Sequence, residues 1–389
     1  MTTSEINSPD QSRSLRSAML LALPMLLLTF VILSGGRVPH RPPELFAFLA
    51  TFASLNILFF LMTYREKTDR YRSIIFVTYA VCFVLSFISQ LVEARGSMSI
   101  SEVNMLQGQT PFCHMVIPLA LIPALLTRTI IFPGSIIGGF ASISSMLVIW
   151  LGASLSLGRG FCGWACFFGG LEDGFSRIFR KPLIKKINLD LRYLPFALLL
   201  VLVIAAAASM APVYCEWLCP FKTVTEYAQV VSLRTLIQVI IFVSLFVGLV
   251  IVLPLLTKKR TQCGLFCPFG AFQSLTNKIS AFDIRIDRGK CIKCRKCIQA
   301  CPVLSLDDKS LETGKTLLTC IKCGKCADVC PKQAVSYHIK GLPAGQSLKL
   351  SRSLFLYPSF LFLATMAGGN IQDAIVRIIL FVTTGSFLR

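Results

Sequence analysis

The sequence predicts an α-helical polytopic membrane protein of about six transmembrane helices, joined to a small α+β domain that is rich in cysteine. Of the 389 residues, 54% are hydrophobic and only 15% are charged, a balance typical of membrane proteins. Several apolar runs reach the roughly 20 residues that a helix needs to cross a hydrocarbon layer of ~30 Å. Eight of the 16 cysteines crowd into residues 291–330, and such close tandem spacing indicates metal ligation instead of disulfide bonds.

The apolar runs divide the chain into four parts. A polar lead, 1–16, precedes a transmembrane domain, 17–257, which is followed by the cysteine-rich domain, 258–352, and a membrane-associated segment, 353–389. The predicted spans are residues 17–34, 44–63, 73–92, 130–157, 193–212 and 235–256. No small-residue cleavage site follows the first span, so we expect an uncleaved signal anchor.

Basic residues alternate along the loops in step with these spans. The loop 158–192 is the richest, whereas the loop after the fifth span has only Lys222 and Arg234. By the positive-inside rule the N-terminus, the loops 64–72 and 158–192 and everything after residue 257 are cytoplasmic. We therefore expect a multi-pass protein of the bacterial inner membrane. Its net charge of +20 follows largely from this topology, and we expect no nucleic-acid partner.

Two apolar segments do not fit a simple crossing. Residues 112–127 are short and contain two prolines, so we expect them to be re-entrant or to lie in the outer interface, covered by other helices. Residues 353–389 are interrupted at Gly368 and Gly369. They predict either a seventh span or a hairpin on the membrane surface.

The strongest motif is a repeat, CIKCRKCIQACP at 291–302 and CIKCGKCADVCP at 320–331. In two-cluster ferredoxins the spacing CxxCxxCxxxCP supplies three ligands to one 4Fe–4S cluster and the fourth to its neighbour, so we expect a ferredoxin-like domain. One cluster is assigned to Cys291, Cys294, Cys297 and Cys330, and the other to Cys320, Cys323, Cys326 and Cys301. Structural zinc is the alternative, although zinc does not need this interlocked spacing.

A second motif, CxxxC, occurs at residues 162–166, 215–219 and 263–267. Residues i and i+4 of a helix share a face, so each pair is expected to form a two-thiolate clip, which is half of a tetrahedral site. The predicted topology puts the first and third pairs at the cytoplasmic membrane edge, where they could together hold a third cluster. Its ligands would be Cys162, Cys166, Cys263 and Cys267. Packing of these thiols as small hydrophobic side chains is the alternative.

The middle pair, Cys215 and Cys219, is predicted at the outer membrane edge. The other cysteine expected there is Cys113, which precedes His114. These four residues suggest an outer cluster or metal site. A disulfide between the paired cysteines is the alternative in an oxidising compartment, as is a simple interfacial role for the histidine.

Apolar spans, CGWxC and CxxxCP motifs at helix ends and a terminal pair of CxxCxxCxxxCP motifs together resemble membrane-bound polyferredoxins of the NapH, MauN and NosR C-terminal type, which include the copper-reducing CcoG proteins. The likeness covers about residues 130–340. It implies that the pairs at 162–166 and 263–267 match the family's membrane motifs, and that electrons pass between the quinone pool or a cytoplasmic donor and a partner enzyme. Three features depart from the family: Phe167 replaces a usual proline, no outer flavin-binding domain of the NosR kind is found, and the pair at 215–219, with Cys113, looks additional.

The sequence contains no CxxCH haem motif, no GxGxxG after a strand and no P-loop. We therefore expect an electron-transfer subunit of a respiratory oxidoreductase system, which passes electrons between cytoplasmic 4Fe–4S clusters and the quinone pool or a membrane or periplasmic partner protein. One alternative is a copper or iron reductase that binds its metal at the outer cysteines. Another is a thiol–disulfide relay at residues 215 and 219.

Overall fold

A computed structural model describes residues 13–94, 113, 117–118, 122–128, 142–185, 187–225, 230–342 and 348–386. The longer helices are Leu15–Ser34, Pro42–Tyr64, Thr68–Ala94, Ile143–Ser156, Leu194–Ser209, Leu233–Leu245 and Leu348–Thr384. The shorter helices are Ile122–Thr127, Gly160–Trp164, Phe167–Ile178, Lys222–Thr225, Leu253–Thr257, Pro268–Thr276, Lys296–Ala300, Asp308–Thr313 and Lys325–Asp328. Tyr214–Leu218, Phe246–Val252 and Gln262–Phe266 are π-helical, and Leu189–Tyr193 is a 3-10 turn.

Five stretches of the described chain are helical, long and apolar enough to cross a membrane. They are Leu15–Ser34, Pro42–Tyr64, Leu189–Ser209, Leu233–Thr257 and Lys349–Thr384. The first four coincide with predicted spans, so the helical membrane architecture is confirmed. The predicted span 73–92 lies within the helix Thr68–Ala94, which begins with charged residues. The predicted span 130–157 is described from residue 142 onward, where it forms Ile143–Ser156.

The C-terminal segment is one continuous helix, Leu348–Thr384, and not a hairpin. Glycine lowers helix propensity but does not end a helix whose hydrogen bonds continue and whose faces are packed. Gly368 has a packing reason, because an added Cβ would lie 2.2 Å from the side chain of Leu33. The helix can therefore approach the N-terminal helix closely at this point.

The segment predicted to be re-entrant is described only in part. Its helix Ile122–Thr127 packs against Leu194–Ser209. Most of the remaining residues, including His114, lie outside the described part of the chain. The re-entrant course stays a prediction.

The cysteine-rich domain contains a two-stranded antiparallel sheet, in which Phe282 pairs with Ile339 and Ile286 with Val335. The C-terminal helix covers this sheet, and Phe355 stacks on Tyr337 with ring centroids 4.6 Å apart. By contrast, the helix Pro268–Thr276, which precedes the sheet, packs against Leu194–Ser209 of the membrane part. The predicted domain 258–352 is therefore integrated with the membrane helices at both of its ends.

The cysteine-rich domain also caps a membrane helix. The Asp328 carboxylate accepts hydrogen bonds from the backbone N–H groups of Thr68, Asp69 and Arg70, at 3.0, 2.8 and 3.3 Å. The first N–H groups of a helix have no intrahelical partner, and a carboxylate also suits the positive end of the helix dipole. The N-terminus of Thr68–Ala94 is thus completed by a residue from a distant part of the sequence.

Candidate functional site

Two cavities in the cysteine-rich domain are each lined by four cysteines drawn from both motifs. The first cavity is lined by Cys291, Cys294, Cys297 and Cys330. The second cavity is lined by Cys301, Cys320, Cys323 and Cys326. Each set has three cysteines from one motif and the fourth from the other, which is the grouping that the sequence predicts.

Left-handed backbone conformations allow each CxxCxxC segment to turn tightly. Lys293 and Arg295 have φ angles of 52° and 58°, and in the second motif Lys322 and Gly324 have φ angles of 49° and 85°. At Gly324 the space is closed as well, because a Cβ would lie 2.5 Å from the Tyr337 hydroxyl. The two motifs therefore fold as equivalent loops.

The fourth cysteine of each motif is held in the same way. The Cys301 sulfur accepts a hydrogen bond from the Ser305 amide at 3.2 Å, and the Cys330 sulfur accepts one from the Ala334 amide at 3.3 Å. Hydrogen bonds to cysteine sulfur raise the potential of an iron–sulfur cluster relative to an unbonded sulfur environment. The two cavities thus share both a ligand pattern and a local hydrogen-bond pattern.

The third cavity lies in the membrane part and brings the first and third CxxxC pairs together. Its cysteines are Cys162, Cys166, Cys263 and Cys267. The rest of the lining is aromatic or apolar apart from Gln262 and the Tyr214 hydroxyl. Three of the four cysteines are buried, and Cys267 is half-buried. The cysteines of this cavity are therefore largely shielded from solvent.

The two cysteines of each CxxxC pair do not lie on one helical face, contrary to the sequence prediction. Cys263 is in the π-helical turn Gln262–Phe266, whereas Cys267 is extended, with φ −74° and ψ 115°, and caps the next helix. Proline disfavours the helical region for the residue before it, and Pro268 follows directly. The pair therefore spans a break between two helical segments.

Three buried arginines donate hydrogen bonds to backbone carbonyls of the CxxxC segments. Arg159 donates to Cys263 at 2.8 Å, Arg260 donates to Cys162 at 3.2 Å, and Arg72 donates to Gly163 at 2.6 Å. Each arginine is at most 1% exposed. These contacts cross-link the two CxxxC segments and place three positive charges around the third cavity.

A buried carboxylate pairs with two of these arginines and with a third one, Arg177. Asp173 forms ion pairs with Arg72, Arg177 and Arg260 at 3.0, 3.2 and 2.9 Å. Its neighbour Glu172 accepts hydrogen bonds from the backbone of the third CxxxC segment, from the amides of residues 262 and 263 at 2.6 and 2.9 Å. This network was not predicted from the sequence, although an adjacent pair of acidic residues in a mainly basic loop was an available signal.

The middle pair lies beside the third cavity. Tyr214, which precedes Cys215, lines that cavity, and its hydroxyl accepts a hydrogen bond from Gln262 at 3.2 Å. The tyrosine hydroxyl is also within electrostatic range of four thiols. These belong to Cys113, Cys215, Cys219 and Cys267. Tyr214 therefore lies close both to the third cavity and to the middle pair.

The helical stretch Leu233–Thr257 contacts both the second and the third CxxxC segment, so it shows how far apart the two segments lie along its axis. Gln238 donates to the carbonyl of Glu216 at 3.1 Å, and the Thr261 hydroxyl donates to the carbonyl of Leu249. Gln238 and Leu249 are about 17 Å apart along the axis at about 1.5 Å per residue. The two segments are thus separated by less than a hydrocarbon thickness of ~30 Å. That they belong to opposite faces stays a prediction.

The second and third cavities are joined by close backbone contacts. A Cβ on Gly163, between Cys162 and Cys166, would lie 2.4 Å from the carbonyl oxygen of Ile321. Next to Cys263, a Cβ on Gly264 would lie 3.5 Å from the Cα of Val303. Ile321 and Val303 both line the second cavity. The first and second cavities are also adjacent, since the helices Lys296–Ala300 and Lys325–Asp328 pack together.

The donor sets suit iron–sulfur clusters. Each cavity offers four thiols, the number that 4Fe–4S clusters use. Burial raises the pKa of the Cys323 thiol to about 12, so a bound metal group is needed to keep it as a thiolate. Among the described residues, no three His, Cys, Asp or Glu side chains converge on one metal-ion position. The cysteines surround cavities and do not close around a point.

Comparisons with protein families match the cysteine motifs. A 4Fe–4S dicluster domain model matches residues 283–331, and a 4Fe–4S binding domain model matches residues 139–186, 191–236 and 239–287. Together with relatives named NapH and MauN, these matches support a membrane-bound polyferredoxin of this type. The two-cluster ferredoxin-like domain and the family resemblance predicted from the sequence are therefore confirmed.

The chain is similar to several known proteins. It is 30% identical over 146 residues to the ferredoxin-type protein NapH of Haemophilus influenzae, covering 36% of this chain and 47% of NapH. It is 28% identical over 229 residues to the methylamine utilization ferredoxin-type protein MauN of Methylorubrum extorquens, covering 58% and 71%. It is 28% identical over 175 residues to protein MJ0750 of Methanocaldococcus jannaschii, covering 43% and 68%. No solved structure matches the chain.

The three matches to the 4Fe–4S binding domain reveal an internal repeat in the polyferredoxin. A CxxxC pair lies near the middle of every matched segment. The pair at 215–219 therefore has the same place in the second matched segment as the other two pairs have in theirs. The repeat was not predicted from the sequence, because the apolar residues around the three pairs differ from copy to copy.

Proposed function

We propose that this iron–sulfur electron-transfer protein conducts single electrons along a row of three 4Fe–4S sites, from the ferredoxin-like domain into the membrane. The sites are the three cysteine-lined cavities, in the order first, second and third. When bound, the clusters supply reversible one-electron oxidation and reduction. The residues of the protein hold the three sites next to one another and shield the second and third sites from water.

One observation carries this proposal: the contacts of Gly163 with Ile321 and of Gly264 with Val303. They bring backbone segments that carry the cysteines of the third cavity into close contact with residues that line the second cavity. Electron tunnelling falls steeply with distance, so a short separation through packed atoms favours rapid exchange. A storage domain that was merely anchored to the membrane would not need this contact.

We further propose that Cys113, Cys215 and Cys219 hold a fourth cluster or metal beyond Tyr214. The match of the 4Fe–4S binding domain to residues 191–236 supports this site. From there electrons would pass to or from the quinone pool or a membrane or periplasmic partner protein. The basic loops support a cytoplasmic ferredoxin-like domain and a location in the bacterial inner membrane.

Iron analysis and EPR spectroscopy of the purified full-length protein test the row of sites. With about four irons per site, we expect about twelve or more per chain. Cys263→Ser should remove about four irons and one reduced-cluster signal while the ferredoxin-like signals persist. Cys82→Ser is the matched control, because Cys82 is a half-buried cysteine outside all three cavities. Zinc without acid-labile sulfide, or unchanged iron in Cys263→Ser, would contradict the proposal.

The acceptor is tested with the same preparation in lipid nanodiscs. Chemically reduced protein should be reoxidised by a membrane-soluble quinone, and Cys263→Ser should slow this reaction at least tenfold. Reoxidation at an equal rate in Cys263→Ser and wild type would mean that electrons leave from the ferredoxin-like domain directly.

A further inference from the structure

The first cavity differs from the other two in having a cysteine that is exposed at the protein surface. Its cysteine Cys294 is exposed, whereas the four cysteines of the second cavity are buried or half-buried. Four basic side chains line it and no acidic one does. They are Lys290, Arg295, Lys296 and Lys332. Lys293, which is exposed between Cys291 and Cys294, adds a fifth positive charge. We call these five residues the basic rim.

Most of the charge of the basic rim is not neutralised within the protein. Lys290 lies 3.5 Å from Asp287, and Arg295 lies 2.8 Å from Asp308. Both pairs are exposed, so they attract each other weakly in water. In the described part of the chain, the other three rim lysines have no acidic side chain within ion-pair distance. The rim therefore projects a positive field around an exposed cysteine ligand.

The side chains of the basic rim take no part in the described hydrogen bonds between the ferredoxin-like domain and the membrane part. Two of those bonds lie beside the second cavity, where the Arg260 amide donates to the Pro302 carbonyl at 2.7 Å and the Trp164 indole donates to the Lys322 carbonyl at 3.1 Å. Others are accepted by the Asp328 carboxylate, which caps the helix Thr68–Ala94. No rim side chain forms a hydrogen bond with a described residue before 282. Anionic lipid of the same membrane is therefore a less suitable ligand than a protein from solution.

Two exposed apolar side chains complete the surface. Ile292 is 57% exposed and Val329 is 37% exposed, and each is adjacent in sequence to a cysteine of the first cavity. Transient redox complexes combine a small apolar contact at the redox centre with complementary charge around it, which orients the encounter. The rim and these two residues provide that arrangement.

We propose that the basic rim docks a small, soluble, acidic electron-carrier protein, which exchanges one electron with the first site. In the inward direction the reduced carrier loses one electron and the first site gains it, and no atom or proton is transferred. This inference rests on the proposed function and names the partner class at the solvent end of the row.

The probe is an acidic plant-type 2Fe–2S ferredoxin, mixed in reduced form with the full-length oxidised protein in nanodiscs of neutral lipid. Stopped-flow absorbance gives the second-order rate constant. We expect it to fall at least tenfold as ionic strength rises from low to high, because charge steering changes association rates by about 10–1,000-fold. Lys293→Glu with Lys296→Glu should lower it about tenfold at low salt. A rate constant that does not depend on salt would overturn the proposal.

The matched control is Lys181→Glu with Lys185→Glu, which makes the same charge change at two exposed lysines outside the ferredoxin-like domain. Its rate constant should stay within twofold of wild type. Carbodiimide cross-linking with mass spectrometry provides a readout that is independent of electron transfer, and it should join ferredoxin carboxylates to rim lysines. Equal slowing in both double variants, or cross-links mainly at Lys181 and Lys185, would contradict docking at the rim.

Two further measurements separate the remaining outcomes. If dithionite reduces all clusters of the wild-type protein but the ferredoxin does not, the docking proposal is wrong and the proposed row of sites is unaffected. If dithionite reduces no cluster, the proposed function itself is wrong. Vesicles of phosphatidylglycerol test the lipid alternative. The lipid alternative predicts that these vesicles bind the wild-type protein but not the double variant Lys293→Glu with Lys296→Glu, and that they block reduction by the ferredoxin. That result would show that the rim is a lipid site and that the docking proposal is wrong.

Discussion

Gly163 lies against the carbonyl oxygen of Ile321 so closely that any Cβ at this position would be 2.4 Å from it. The contact joins the membrane part to the ferredoxin-like domain between two cysteine-lined cavities. Gly163→Ala must therefore push the two backbones apart. We expect a loss of about 1–3 kcal/mol in stability, as for other overpacked sites, and slower electron exchange between the second and third sites.

Rapid-freeze EPR after reduction of the ferredoxin-like domain measures that exchange. Gly264→Ala is the control, because its Cβ would lie 3.5 Å from Val303, which is an ordinary van der Waals distance. If both variants exchange electrons at the wild-type rate, the backbone contact does not determine the electron path.

The ion pairs of Asp173 are expected to dominate the stability of the membrane part around the third cavity. Asp173→Asn would leave Arg72 and Arg260 buried with one fewer negative charge, and breaking a buried pair costs about 3–5 kcal/mol. Asp308→Asn breaks an exposed pair with Arg295 of similar length, 2.8 Å, and should cost less than about 1 kcal/mol. Thermal unfolding in detergent measures both. Similar losses would show that the buried network contributes little.

Asp328 is expected to fasten the ferredoxin-like domain to the helix that begins at Thr68. Asp328→Ala removes three hydrogen bonds to this helix N-terminus and should cost about 0.5–2 kcal/mol. Hydrogen exchange should rise both at residues 68–70 and across the domain contact. Ser232→Ala removes a cap from its own helix, so exchange should rise only locally. Faster exchange confined to 68–70 in Asp328→Ala would mean that the cap is merely local.

The predicted topology can be measured with protease-cleavable tags in intact spheroplasts. We expect a tag after Gly36, which follows the first span, to be cut from outside, and a tag after Lys185 to be protected. Both sites are exposed in the structure, so accessibility within the fold is matched. The reverse pattern would invert the orientation and place the ferredoxin-like domain outside.

The membrane helices and the two ferredoxin cavities could be predicted because their signals are local. A run of apolar residues is recognised without knowing its neighbours in space. The CxxCxxCxxxCP spacing by itself indicates which cysteines share a cluster. The continuity of Leu348–Thr384 could not be predicted, because Gly368 signals a break in sequence but serves close packing against Leu33.

The buried charges were not predictable for a different reason. In the sequence Arg159 and Arg177 count toward the basic loop that sets the orientation. In the structure both belong to the surroundings of the third cavity, Arg159 fully buried and Arg177 paired with Asp173. The number of basic residues in a loop predicts on which side of the membrane the loop lies, but it does not predict which of those residues are exposed to solvent. Only the fold brings Arg72 and Arg260 to the same carboxylate.

The third cavity takes its cysteines from segments on either side of Leu189–Ser209 and Leu233–Thr257. Neither half can meet the other until both helices have been inserted and have folded back. Maturation of the protein is therefore ordered in time: the ferredoxin-like domain holds all eight of its ligands in one stretch of chain, whereas the membrane site comes into existence only after insertion is complete. With the third cluster proposed above, a cell that makes this protein would have to deliver iron and sulfur to a chain already embedded in the membrane.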